Sequence, residues 1–159
     1  MGHLAIYAQD FLNAYEILSE SNEALVERMT RGAERPLHRT AFGTLPAMGI
    51  EIVCLAFSVE LHLKELHRLG SGSAPRGHNI TKLFNSLPMP VKTALVSHSA
   101  IAKYGWSGSQ IESELLAISD GFEKWRYAYE SVTLNYNVYF AKALIEASQF
   151  VASRNVRGA

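Results

Sequence analysis

One cysteine, Cys54, stands in a chain of 159 residues. That excludes an internal disulfide and a cysteine-rich zinc site, and with no secretory signal it predicts a reducing, cytoplasmic setting. Long apolar runs are missing as well. The longest, Ile52 to Phe57, is bracketed by Glu51 and Glu60, far short of the roughly 18 residues a membrane span requires. Gly2 is followed by Ile6 where N-myristoylation would need Ser or Thr, so no lipid anchor is expected either. No charge of one sign dominates, since fifteen Lys and Arg balance fifteen Asp and Glu. The global electrostatic drive of a dedicated nucleic-acid or membrane-surface binder is therefore absent, and any such binding is local. The Gly/Ser-rich run Gly70 to Gly77 lacks the spacing of a phosphate-binding loop and follows no strand. His62 and His67 are five apart, about 140° around a helix, so they do not form the one-face pair of a zinc site. Strand-like alternation is not found anywhere; even Val132-Thr133 sits inside a helical repeat.

What remains is ample material for a core. Apolar residues make up 48% and charged residues 19%, against a usual charged share of about 25%, which argues against disorder. The length fits one domain over residues 1–159. A first helix is predicted from Leu4 to Arg31. Its acidic residues Asp10, Glu16, Glu20, Glu23 and Glu27 precede Arg28, Arg31, Arg35 and Arg39, and a loop follows over Gly32 to Pro46. The central helix, Ala47 to Leu69, carries a buried stripe of Ile52, Leu55, Val59, Leu63 and Leu66 and a second apolar face at Ile50, Cys54, Phe57 and Leu61. Gly70 to Gly77 breaks the chain, a short helix covers Ile80 to Leu87, and another runs from Pro90 to Tyr104. Ser109 and Glu112 have capping-box spacing, which starts the next helix at Gln110. Gly121 interrupts it. A three-four repeat from Phe122 through Trp125, Tyr129, Thr133, Tyr136, Phe140 and Ala143 to Phe150 then predicts a last helix ending near Ser153. The fold class is all-α, an up-and-down bundle of four main helices with additional short ones.

Chemistry concentrates in few places. Glu60, Lys64 and His67 share one line on the central helix, either an ordinary Glu-to-Lys pair at a solvated helix end or the mouth of a groove. His78 precedes the short helix, with Asn79 as a cap, and serves as a hydrogen-bonded anchor or an anion contact. Arg126 lies among Trp125, Tyr127 and Tyr129; it either clamps Glu130 and the rings or offers its donors to a phosphate or carboxylate. From Arg28 to Arg39 four arginines face one glutamate, Glu34, with His38 beside them, a solvated loop or a small basic patch. Cys54 sits on an apolar face, where burial as a small hydrophobe is its normal role.

Three stretches together resemble the HEPN superfamily of small helical-bundle proteins: Val59 to Leu66 on the central helix, Gly77-His78-Asn79 through Pro88, and Phe122 to Glu130 with Trp125-Arg126-Tyr127. The likeness spans about residues 47 to 150. Many members of that superfamily are dimeric, metal-independent RNases of toxin-antitoxin, phage-defence or RNA-processing systems, marked by Arg-x4-6-His on a late helix. Others lack the motif and act as binding or accessory modules. No histidine follows Arg126 in that window, and Arg31 and His38 match the spacing only in a stretch broken by Gly32 and Pro36. The resemblance thus implies a non-nuclease module binding an anionic ligand, a nucleotide or RNA, through Glu60, Lys64, His78, Arg126 and Tyr127. It implies no cofactor and no metal, a homodimer, and room for a partner protein. An RNase with an altered active site and a purely structural dimer are the alternatives.

Overall fold

The structure, a computed structural model, describes residues 2–31, 49–119 and 136–156. Within them the chain is all-α, with seven helices and no strand. They are α1 (His3–Thr30), α2 (Ile50–Ser71), α3 (Ile80–Asn85), α4 (Met89–Val96), α5 (Ser99–Ala102), α6 (Gly108–Ser119) and α7 (Val138–Val156).

Most boundaries follow from local hydrogen bonding. Gly70 stays inside α2, and the helix ends instead at Gly72, whose φ of 79° is the left-handed conformation that glycine adopts without strain; its N–H donates to the Arg68 carbonyl. The predicted helix Pro90 to Tyr104 is two helices. His98 breaks it, because its Nδ1 accepts from the Ala100 N–H and so replaces a helical carbonyl with a side-chain cap. The predicted start at Gln110 is also two residues late. Ser107, not Ser109, stands at the cap position before α6, and Gln110 reaches back to accept from its backbone N–H at 3.1 Å. The last helix opens at Val138, where Asn137 Oδ1 accepts from the Phe140 N–H at 3.0 Å and Asn137 Nδ2 donates to Glu114 at 2.8 Å. Tyr136 therefore precedes the helix whose repeat it appeared to share, and residues 122–135 of that repeat lie outside the described residues.

Packing sets the directions. The Ser58 hydroxyl donates to the Ala8 carbonyl at 2.9 Å, and Phe11 stacks on Phe57 with ring centres 5.0 Å apart. A side chain at Gly2 would run into Arg68, so α1 and α2 are antiparallel. Gln149 Nε2 donates to Gln9 at 3.0 Å while the Lys142 ammonium lies 5.6 Å from the Tyr15 ring centre; α7 thus runs antiparallel to α1 and parallel to α2. Leu55, Val59, Leu63 and Leu66 of α2 are buried with Phe140, Leu144 and Ala147 of α7. Ile111, Leu115 and Ile118 of α6 close the core, and the α3–α6 seam is tied by the Thr81 hydroxyl donating to the Leu115 carbonyl at 3.1 Å. The first predicted stripe of α2 is buried throughout. Its second face is not: Ile50 is exposed, and Cys54, Phe57 and Leu61 are half-buried.

Candidate functional site

Glu60 faces the α2–α3 junction with only 4% of its side chain exposed. A carboxylate removed from water needs charged or hydrogen-bonding partners, and Glu60 has two. The Lys64 ammonium, one helical turn on and 13% exposed, donates to Oε1 at 2.7 Å. His78 Nδ1 sits across the carboxylate, 3.0 Å from Oε1 and 3.1 Å from Oε2. The α2–α3 connection delivers it. Gly77 turns the chain at a φ of 96°, and Asn79 then caps α3 by accepting from the Lys82 N–H at 2.8 Å. His78 therefore stands with one edge on a buried carboxylate and 56% of its side chain exposed.

Three of the five residues expected at the site thus meet around one carboxylate. Arg126 and Tyr127 lie outside the described residues, as do Trp125 and the arginine loop from Gly32 to Pro46. Of that basic stretch, Arg31 pairs with Glu27 on the exposed end of α1. His67 leaves the expected line: its Nε2 donates to the Leu83 carbonyl at 2.9 Å, pinning α2 to the end of α3. Cys54 is half-buried, and burial, with the Glu51 charge, pushes its thiol above the usual value, which keeps it from acting as a thiolate. Among the described residues no three His, Cys, Asp or Glu side chains gather to hold a metal ion, and no helix is long and apolar enough to cross a membrane.

A second polar cluster on α2 escaped the sequence reading. Ser58, His62 and Glu65 are all buried. His62 Nδ1 lies 2.8 Å from the Ser58 carbonyl, which only accepts, so Nδ1 carries the proton. Arg68 donates to Glu65 through Nε and Nη2, each at 2.7 Å, a bidentate pair. The signal was present: positions 58, 62 and 65 follow the three-four spacing of a helix that is otherwise apolar around much of its circumference, so polar residues there are buried and need partners.

Burial lowers His62 below the ordinary histidine value of 6.5, against the smaller opposing pull of the Ser58 carbonyl and the Glu65 charge. In the unfolded chain the ring takes a proton near that value while the folded protein still refuses it. Stability is therefore full above it and falls as the pH drops through the lower folded value. Unfolding free energies measured from about pH 7 down to about pH 5 should fall less steeply in His62→Gln than in the unaltered protein. Equal slopes would remove this role, since the other titrating groups are common to both chains.

A wider groove, about 800 Å³, opens between α1, the start of α2 and the start of α7. Glu16, Glu20, Glu23, Glu51 and Glu146 outnumber Lys103 and Lys142 along it, so its field repels anions. No family model matches the chain, and neither a curated protein nor a solved structure matches it significantly.

Proposed function

We propose that this chain is a HEPN-like helical module that binds an anionic ligand, a nucleotide or RNA, at the α2–α3 junction, with Lys64 and His78 as contacts and Glu60 as the group that positions them. The observation that carries the reading is one buried carboxylate, Glu60, holding an ammonium and an imidazole side by side at a partly open surface. Glu60 cancels the charge of Lys64, so net attraction for a phosphate comes from Arg126, which the resemblance implies at the site. Tyr127 completes the set of ligand-binding residues that the resemblance implies.

Titration of adenosine monophosphate and of a short single-stranded RNA tests this. Lys64→Ala and His78→Ala, each confirmed folded by its melting curve, should weaken binding by about tenfold, which corresponds to about 1.4 kcal/mol. Unchanged affinity in both leaves the site without support. A metal-free incubation with mixed RNA separates the enzymatic alternative: cleavage that disappears in Arg126→Ala marks an RNase with an altered active site. The burial of Glu60 favours one other reading, in which the same three residues are only a strut joining α2 to the His78 loop.

The module acts as a homodimer or with a partner chain. Ile6, Tyr7, Ile17 and Val26 leave apolar surface along α1, and such surface favours association. Sedimentation at micromolar concentration should give a dimer; a monomer removes the homodimer.

A further inference from the structure

On a different side of α2 from Glu60, the N-terminal turns of α1, the second half of α2 and the C-terminal turns of α7 enclose a pocket of about 430 Å³, within the range of small-molecule sites, about 300–1,000 Å³. Glu60 and His62 are two residues apart, about 200° around the helix, so this pocket is independent of the function proposed above. Ala5, Leu69 and Ala152 give it apolar walls.

Most of its polar groups are already bonded within the protein, Ser148 and Ser153 to the Leu144 and Phe150 carbonyls among them. His62 forms part of the lining, and its Nδ1 proton is committed to the Ser58 carbonyl. In the neutral ring that leaves Nε2 as an acceptor, and Nε2 has no hydrogen bond among the described residues. Arg68 stands at the same pocket with Nε and Nη2 held by Glu65, while its Nη1 lies outside that fork and keeps its donors. Gln9 and Gln149 are bonded to each other, and Gln9 also donates to Asn13 at 2.8 Å. Charge balances as well: Glu65 neutralises Arg68. A carboxylate or phosphate entering here would meet an arginine already paired and a glutamate that repels it. An uncharged molecule with both a donor and an acceptor meets neither penalty.

We propose that this pocket binds an uncharged small molecule built on an apolar ring with an N–H donor and a carbonyl acceptor, the pattern of a lactam or amide heterocycle. Its N–H reaches His62 Nε2, its carbonyl takes the outer donors of Arg68, and its ring lies against Ala5, Leu69 and Ala152.

The test is a titration of the full chain with 2-pyridone, a minimal lactam, followed through the His62 imidazole resonances by NMR. Toluene and benzoate serve as the donor-free and anionic controls. 2-Pyridone should shift the His62 signals saturably at millimolar concentration or below, with toluene and benzoate at least tenfold weaker. Ala152→Leu and Ala5→Leu fill the pocket from two walls, and each should abolish the shift while the protein keeps its cooperative melting. Absence of a His62 shift in the unaltered protein overturns the proposal outright. Undiminished binding in either filled variant that folds overturns the location. Equal binding of benzoate overturns the preference for a neutral ligand, and equal binding of toluene the role of His62 and Arg68.

Discussion

Glu60→Ala destabilises the protein by about 3–5 kcal/mol, the range found when one member of a buried ion pair is removed. The cause is what stays behind. Lys64 is 13% exposed, so without the carboxylate its ammonium keeps little water and loses its 2.7 Å acceptor. His78 loses its anchor at the same time, although, being more than half exposed, it regains solvent cheaply. An exposed pair at the same spacing would be worth only about 0–1 kcal/mol, so urea unfolding separates the two cases. Replacing both partners, as in Glu60→Leu with Lys64→Met, removes the stranded charge and should recover most of the loss. A cost below about 1 kcal/mol for the single variant would place the pair with ordinary surface ion pairs.

Phe140→Ala costs a similar amount for a different reason. Phe140 is fully buried on α7 and meets Trp106 edge-on, with ring centres 5.1 Å apart. Trp106 lies in the turn before α6, so the ring contact fastens that turn to α7. Truncation removes apolar contact and leaves a cavity that rigid helices close only in part, for about 3–5 kcal/mol. At about 2–4 °C per kcal/mol for a chain of this size, the melting temperature should fall by roughly 6–20 °C. Phe140→Leu, which keeps much of the volume, should lose distinctly less. Equal losses in the two variants would mean that ring volume does not govern this site.

The parts of the fold that were readable in the sequence are those where a strong local rule had no competitor. Leu55, Val59, Leu63 and Leu66 are apolar at three-four spacing, and all four are buried. Asn79 precedes Ile80 and bonds the Lys82 N–H, as its position predicted. Glu60 and Lys64 are one turn apart, and the short connection after Gly72 leaves His78 little room to be elsewhere, which is why their meeting was foreseeable.

Competition explains the misses. Ser107-Gln110 and Ser109-Glu112 carry the same capping signature two residues apart, and spacing alone does not rank them. His98 looked like one more helical residue until its ring took the Ala100 N–H. Asn137 interrupts an apolar repeat that continues unbroken in sequence from Tyr136 to Phe140, because a cap depends on one side-chain oxygen and the period does not register it. His67 shares the face of Glu60 and Lys64, but one turn further along the axis that face meets α3 rather than the His78 loop. The Ser58-His62-Glu65 group was passed over because polar residues read as surface, whereas here α1 and α7 cover them and the Ser58 hydroxyl, the His62 ring and the Glu65 carboxylate each find a partner.

Ligand binding at the α2–α3 junction is tested most directly by NMR of the His78 imidazole and the Lys64 side chain while adenosine monophosphate is added to the folded protein. Both sets of signals should shift together and saturate with one dissociation constant, with His62, on another face of α2, unmoved. Saturable binding that leaves His78 and Lys64 unshifted, or no binding of the nucleotide or of a short RNA at all, would contradict the proposal and leave Glu60, Lys64 and His78 as a strut between α2 and the loop before α3.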